Sequence, residues 1–110
     1  ARTLPDLFYK VDMFLTPVWP FALPSIEQSD VGSNPEAVAL VQKIGHNTRP
    51  VNFLGLPAIC LPIGFDKNGL PVSAQLVGKP FSEDLLLRAA RAIEREYRFW
   101  DNRPADIKTA

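Results

Sequence analysis

The sequence predicts an α/β fold in which a β-hairpin, part of an incomplete sheet, is flanked by helices. Two apolar stretches, residues 56–65 and 70–78, lie on either side of Asn68-Gly69. That dipeptide is typical of a two-residue type I′ turn, since both central residues of such a turn need positive φ. Residues 83–98 repeat apolar side chains at helical spacing, which predicts an amphipathic helix beside the hairpin.

The N-terminal part predicts one short helix and one short strand. Residues 3–10 place apolar side chains on one helical face, and Thr3 can cap that helix. Residues 12–17 are apolar and predict a strand that ends at Pro17.

A proline-rich segment follows at residues 17–26, where three prolines remove backbone donors. We expect it to run extended, with Trp19 and Phe21 packed against the protein. Its P-x-x-P string has an alternative interpretation as a polyproline ligand for an SH3-like domain. Residues 27–34 are polar and predict a loop.

A second helix is predicted over residues 35–44. Asn34 suits the N-cap, Pro35 the first helical position, and Gly45 the end. Its apolar stripe comprises Ala37, Leu40, Val41 and Ile44.

The hairpin arms carry prolines and glycines at positions that restrict the sheet. Pro57, Pro62 and Pro71 must lie at strand starts, bulges or unpaired edges, because proline has no N–H for the ladder. Gly55 and Gly64 suit bends. In residues 72–77 apolar and polar side chains partly alternate, which predicts a strand covered mainly on one face.

The last helix is predicted over residues 83–98, with Ser82 as its cap. Its buried stripe comprises Leu86, Ala89, Ala90, Ile93 and Tyr97. Asp84–Arg88 and Glu94–Arg98 are spaced for ion pairs on exposed faces. We expect the tail, residues 101–110, to be loosely ordered.

The composition is globular, and the 110 residues amount to a single domain or a fragment of a larger one. Twelve basic residues balance twelve acidic ones, so we expect no nucleic-acid contact and no membrane binding. One cysteine and one histidine exclude a Cys/His zinc site, and we expect neither metal nor cofactor.

Cys60 cannot form an internal disulfide, which fits a cytoplasmic protein. We expect Cys60 to be buried and inert.

Residues 48–94 strongly resemble the C-terminal region of amidase signature enzymes, which include fatty-acid amidases and the A subunit of glutamyl-tRNA(Gln) amidotransferase. The shared pattern is N-x-x-G-x-P-A, an apolar run ending in P-x-G, and a glycine turn before L-P-x-x-x-Q. The matching positions are Asn52, Gly55, Pro57, Ala58, Pro62, Gly64, Gly69, Leu70, Pro71 and Gln75. The resemblance implies that the chain is the C-terminal portion of the amidase fold, a partial mixed β-sheet with helices.

The resemblance also implies a chemistry that this chain does not carry. The family uses a serine nucleophile, a second serine in a cis peptide and a lysine base, all upstream of the matched region. No Ser-Ser pair exists here, and Ser33, Ser73 and Ser82 stand in unrelated contexts. We therefore expect no catalytic residue in this chain, which would act as scaffold and as a wall of the acyl pocket.

The candidate substrate-binding residues are His46, Asn47, Thr48 and Arg49, because the corresponding loop of the family lines the acyl pocket. Their alternative role is a plain connection between helix and strand. Gln75 is another candidate, although such residues more often satisfy neighbouring backbone. Gly45 aligns with an acidic residue that binds glutamine in the amidotransferase, which argues against a glutamine pocket.

The sequence therefore predicts part of an amide hydrolase that acts on a small amide only in the complete enzyme. The alternative is a truncated module that binds or assembles, as a homodimer or with the missing N-terminal portion completing its sheet. A binding domain unrelated to amides is a third possibility.

Overall fold

The computed structural model describes residues 4–103. Its elements in chain order are α1 (Leu4–Leu7), β1 (Met13–Pro17), α2 (Ile26–Ser29), α3 (Pro35–Ile44), α4 (Arg49–Phe53), β2 (Ala58–Phe65), β3 (Pro71–Gly78), α5 (Glu83–Tyr97) and a 3₁₀ turn (Phe99–Asp101). The predicted helix over 35–44, the strand before Pro17, both hairpin arms and the last helix are confirmed.

The sheet has three strands in the order β1-β3-β2, and both pairings are antiparallel. Any parallel strands of the expected mixed sheet lie outside the described residues. In the register, Thr16 pairs with Gln75, and Cys60 pairs with Gln75 from the other side. β3 is therefore the central strand, and β2 forms an edge within residues 4–103.

One face of the sheet packs against α5. Leu61, Leu76, Leu86 and Ala90 are buried together, with Met13, Ile59, Ala89 and Ile93 packed around them. Side chains alternate along a strand, so residues 73, 75 and 77 of β3 lie on the opposite face. Residues 74–78 are all buried, so the prediction of a strand covered mainly on one face is wrong here. β3 is the central strand, and other parts of the chain pack on both of its faces over residues 74–78.

The hairpin loop differs from the predicted two-residue turn. Gly69 has a φ of +78°, but Asn68 does not have positive φ, so the turn is not type I′. Asp66 organises a longer loop, because its Oδ1 accepts from the N–H of Asn68 at 2.8 Å and of Leu70 at 2.9 Å. An aspartate side chain that accepts hydrogen bonds from nearby backbone N–H groups can stabilise such a loop in place of a tight turn. The register shift between Pro62 and Gly64 confirms the expected bulge.

Several helices depart from the prediction. α1 begins at Leu4 and ends at Leu7, and the proposed Thr3 cap lies outside the described residues. α2 replaces the first part of the predicted loop over 27–34, because Ser25 and Gln28 form a capping box. The prediction missed α4 entirely, and it lies where a plain connection was one of the alternatives.

The last helix keeps its predicted start but not all of its contacts. Ser82 occupies the cap position, yet its hydroxyl donates to the carbonyl of Lys79 at 2.7 Å and caps nothing. Tyr97 is 62% exposed and stacks on Phe99, so its assignment to the buried stripe is wrong.

The two predicted ion pairs of this helix have different outcomes. Asp84–Arg88 forms at 3.4 Å, as predicted. Glu94 pairs with Arg91 at 3.3 Å, while Arg98 pairs with Asp101 at 2.9 Å, so the predicted Glu94–Arg98 pair is wrong. Arg98 adopts a left-handed conformation at the helix end, which takes it out of the regular i, i+4 spacing. Residues 104–110 of the tail lie outside the described residues.

Candidate functional site

The sheet face opposite α5 carries the polar centre of this chain. Gln75 is 2% exposed and lies in the middle of the central strand. Its Nε2 donates to the Thr16 hydroxyl at 3.0 Å and to the Asn47 carbonyl at 2.9 Å. A buried amide of this kind is costly unless its hydrogen bonds are satisfied, so both partners stabilise the fold.

Asn47 completes a two-way connection between its loop and the sheet. Its side-chain Nδ2 donates to the Pro17 carbonyl at 3.0 Å, at the end of β1. Its backbone carbonyl accepts from Gln75, as described above. The loop between α3 and α4 is therefore attached to two neighbouring strands through a single residue, and we call this set of contacts the Gln75 clip.

The other three candidate residues surround the clip without joining it. His46 is exposed, and its N–H donates to the Lys43 carbonyl at 3.0 Å. Thr48 is half-buried at the N-cap of α4 and makes no side-chain cap bond. Arg49 is exposed and folds back over Gly45, where an added Cβ would lie 2.8 Å from its Nε. Gly45 thus ends α3 and leaves room for the arginine.

A shallow apolar groove lies beside the clip, and we call it the Phe14 groove after a residue that lines it. Its volume is about 220 Å³, and α1, β1, β3 and the segment from Asn47 to Leu56 form its walls. Phe14 and Val77 are cross-strand neighbours that line its floor. Among the described residues, Thr16 and Asn47 are its only polar lining residues, and no charged side chain lines it. The groove therefore suits an uncharged, apolar group.

The family-pattern residues determine the backbone path of the hairpin and of the segment that leads into it. Gly55 has a φ of +64°, which lets the backbone leave α4. Pro57 lies directly before β2, and its carbonyl accepts from the Gly78 N–H at 3.0 Å. Pro71 begins β3, so the proline positions predicted from the ladder argument are confirmed. Ala58 is the first residue of β2, and Asn52 lies exposed within α4.

The expectation that Cys60 is buried is wrong. The Cys60 side chain is exposed because β2 is an edge strand, and no segment within residues 4–103 covers β2 at Cys60 on the side away from β3. The sequence showed an apolar run, and an apolar run does not reveal which strand lies at the edge.

Three serine hydroxyls between residues 25 and 33 make local hydrogen bonds. Ser25 caps α2, Ser29 donates to the Ser25 carbonyl, and Ser33 donates to the Asp30 carboxylate. The hydrogen bond from Ser33 is the largest of the causes that lower the pKa of the Asp30 carboxyl, and the hydrogen bond from the Gly32 N–H is the next largest.

Between residues 4 and 103, no three potential ligands gather as a metal site, and no helix there is both long and apolar enough to cross a bilayer.

Comparison with known proteins agrees with this architecture. The sequence model of the Amidase family matches residues 1–87, and the chain belongs to that family. It is 38% identical over 90 residues to a fatty acid amide hydrolase of Medicago truncatula, a match that covers 82% of this chain and 15% of that protein. It is 41% identical over 103 residues to the A subunit of a glutamyl-tRNA(Gln) amidotransferase of Prochlorococcus marinus (strain NATL2A), which covers 94% of this chain and 20% of that protein.

Solved structures also resemble this fold. A 6-aminohexanoate cyclic dimer hydrolase in complex with substrate superimposes with a TM-score of 0.75 and 30% identity. The match covers 86% of this chain and 21% of the hydrolase. The chain thus spans about a fifth or less of the length of these three relatives.

Thr16 is the residue of the site that the sequence reasoning missed. It contacts Gln75 across 59 positions of chain, and its only sequence signal is its place in a short strand before Pro17. No local pattern in the sequence links those two positions.

Proposed function

We propose that this chain is the C-terminal portion of an amide hydrolase and that it forms a wall of the acyl pocket. The observation that carries the proposal is the Gln75 clip, which attaches the loop from His46 to Arg49 beside an uncharged groove. The match to the Amidase family supplies the reaction class, cleavage of a carboxylic amide C–N bond.

The nucleophilic serine of that reaction lies upstream of this chain. In support, the described serine hydroxyls that hydrogen-bond do so to caps, carbonyls and an aspartate, and to no lysine or histidine. A serine attacks an amide only when a base accepts its proton. The chain by itself is inactive, and a small amide is hydrolysed only in the complete protein.

A serine-directed fluorophosphonate probe tests this proposal. The complete protein, incubated with the probe and digested, is expected to carry the label on a serine outside residues 1–110. Release of amine from a panel of aliphatic and aryl amides is expected from the complete protein and not from the 110-residue chain. Labelling of Ser73 or Ser82, or turnover by the 110-residue chain, would contradict the proposal.

A second candidate is a module that needs a partner to complete its sheet. Phe53 and Phe81 are 91% and 94% exposed, and β1 and β2 pair on only one side within the described residues. Exposed apolar side chains and open edges favour association. The partner is a second copy or the N-terminal amidase portion, in the cytoplasm. Light scattering of the 110-residue chain tests this, since a monomer at high concentration would count against it.

A further inference from the structure

A second groove lies at the opposite end of β3 from the Phe14 groove, and the geometry points to a small organic ammonium ion as its ligand. The groove has a volume of about 270 Å³ and is lined by the proline-rich segment and the start of β3, with Trp19, Phe21, Leu23 and Asp66 among its residues. This inference stands apart from amide hydrolysis and does not need it.

The aromatic residues form a corner at one side of this groove. The ring centroids of Trp19 and Phe21 lie 6.1 Å apart, with an interplanar angle of 85°. Both residues are half-buried. The N–H of Val18 donates to the Ser73 carbonyl at 3.1 Å, which attaches this segment to β3 directly before the corner. The two rings meet edge to face and both border the groove, and the face of an aromatic ring attracts a cation.

Asp66 supplies the negative charge. It is half-buried and is the only charged residue among the described ones that line the groove. Both hydrogen bonds of its side chain in the described part of the chain go to Oδ1, from the N–H of Asn68 and of Leu70. Those bonds restrain the carboxylate beside the groove, and no hydrogen bond from a described residue goes to its Oδ2.

The combination selects the chemical class. An ammonium group gains from a carboxylate and from ring faces, whereas a neutral alcohol gains little from either. An anion meets a like charge and no lysine or arginine among the described lining residues. Apolar atoms of Leu23 and Pro71 favour a carbon skeleton on that ammonium. Benzylammonium has this chemistry, and benzyl alcohol is its neutral counterpart.

Calorimetric titration of the complete protein at neutral pH tests the inference. Benzylammonium is expected to bind about tenfold more tightly than benzyl alcohol. Asp66→Asn keeps an Oδ1 acceptor for the turn and removes the charge, so the ratio of affinities falls to about one. Trp19→Leu weakens benzylammonium by about tenfold, and Trp19→Phe retains most of the binding.

Matched controls make the result specific. Asp84→Asn removes the same charge from the exposed face of α5 and is expected to leave the ratio unchanged. Equal affinity for the two ligands, an undiminished ratio in Asp66→Asn, or no binding because another part of the protein fills the groove would each overturn the inference. Circular dichroism of each variant verifies its fold, and an unfolded Trp19→Leu leaves Asp66→Asn as the deciding variant.

Discussion

Replacing Gln75 with methionine should weaken the attachment of the Asn47 loop to the sheet. Methionine is similar in length and apolar, so it preserves the packing and removes the amide. The change removes two hydrogen bonds of 3.0 and 2.9 Å and leaves the Thr16 hydroxyl and the Asn47 carbonyl without that donor.

The magnitude follows from the number of bonds and their burial. Each bond contributes about 1 kcal/mol net, and both remaining partners are half-buried, so water can reach them in part. Only the bond to the Asn47 carbonyl joins Gln75 to the loop, because Thr16 lies in β1, so we expect the free energy of local opening to fall by about 1 kcal/mol. A fall of that size speeds the exchange of the protected amides in the loop by roughly fivefold.

Hydrogen exchange followed by mass spectrometry measures this effect in the complete protein. The informative amides are those of His46 and Arg49, which donate to the carbonyls of Lys43 and Gly45. Thr16→Val removes the bond within the sheet and keeps the bond to the loop, so it should accelerate exchange less than Gln75→Met does. Gln42→Met makes the same substitution at an exposed position of α3 and should change nothing. Exchange in Gln75→Met that matches Gln42→Met would show that the clip does not hold the loop.

Three further substitutions test individual parts of the fold. Gly69→Ala should cost about 1 kcal/mol in urea unfolding because φ is +78°, while Gly64→Ala, also in open space but without positive φ, should cost less than half of that. Gly78→Ala should cost about 1–3 kcal/mol because its Cβ meets the Ser82 hydroxyl and Leu86, and adding Ser82→Ala should recover part of the loss. The pKa of the Asp30 carboxyl, measured by NMR, should lie below its ordinary value of 3.8 and return toward it in Ser33→Ala. The stabilisation that goes with it is present above the ordinary pKa and is lost as the pH falls through the lowered one.

Local signals predicted the parts of the fold that depend on local chemistry. α3 begins after Asn34, whose side chain accepts from the Glu36 N–H at 3.0 Å, and it ends at Gly45, as its sequence indicates. The hairpin arms followed from two apolar runs around a glycine. Its turn type did not follow, because the Asp66 side chain supplies two backbone contacts that a dipeptide rule ignores.

The candidate site depends on contacts that no local pattern reveals. Asn47 was a candidate because of the family resemblance, but its attachment to Pro17 and Gln75 spans 30 and 28 positions of the chain. The exposure of Cys60 depends on β2 being an edge strand, which is a property of the sheet. Only the arrangement of the strands in space could establish either fact.

Strand alternation explains why one face of β3 contributes to both grooves and to the clip. Val77 lines the Phe14 groove, Gln75 forms the clip and Ser73 lines the second groove together with its neighbour Val72, so successive residues of one face serve three different sites. A one-residue slip of β3 would turn all three toward α5 and bring Leu76 to the opposite face. The packing of Leu76 against Leu86 and Ala90 opposes that slip, since it would remove Leu76 from the core. The hydrophobic face of the sheet therefore maintains the register on which the polar face depends.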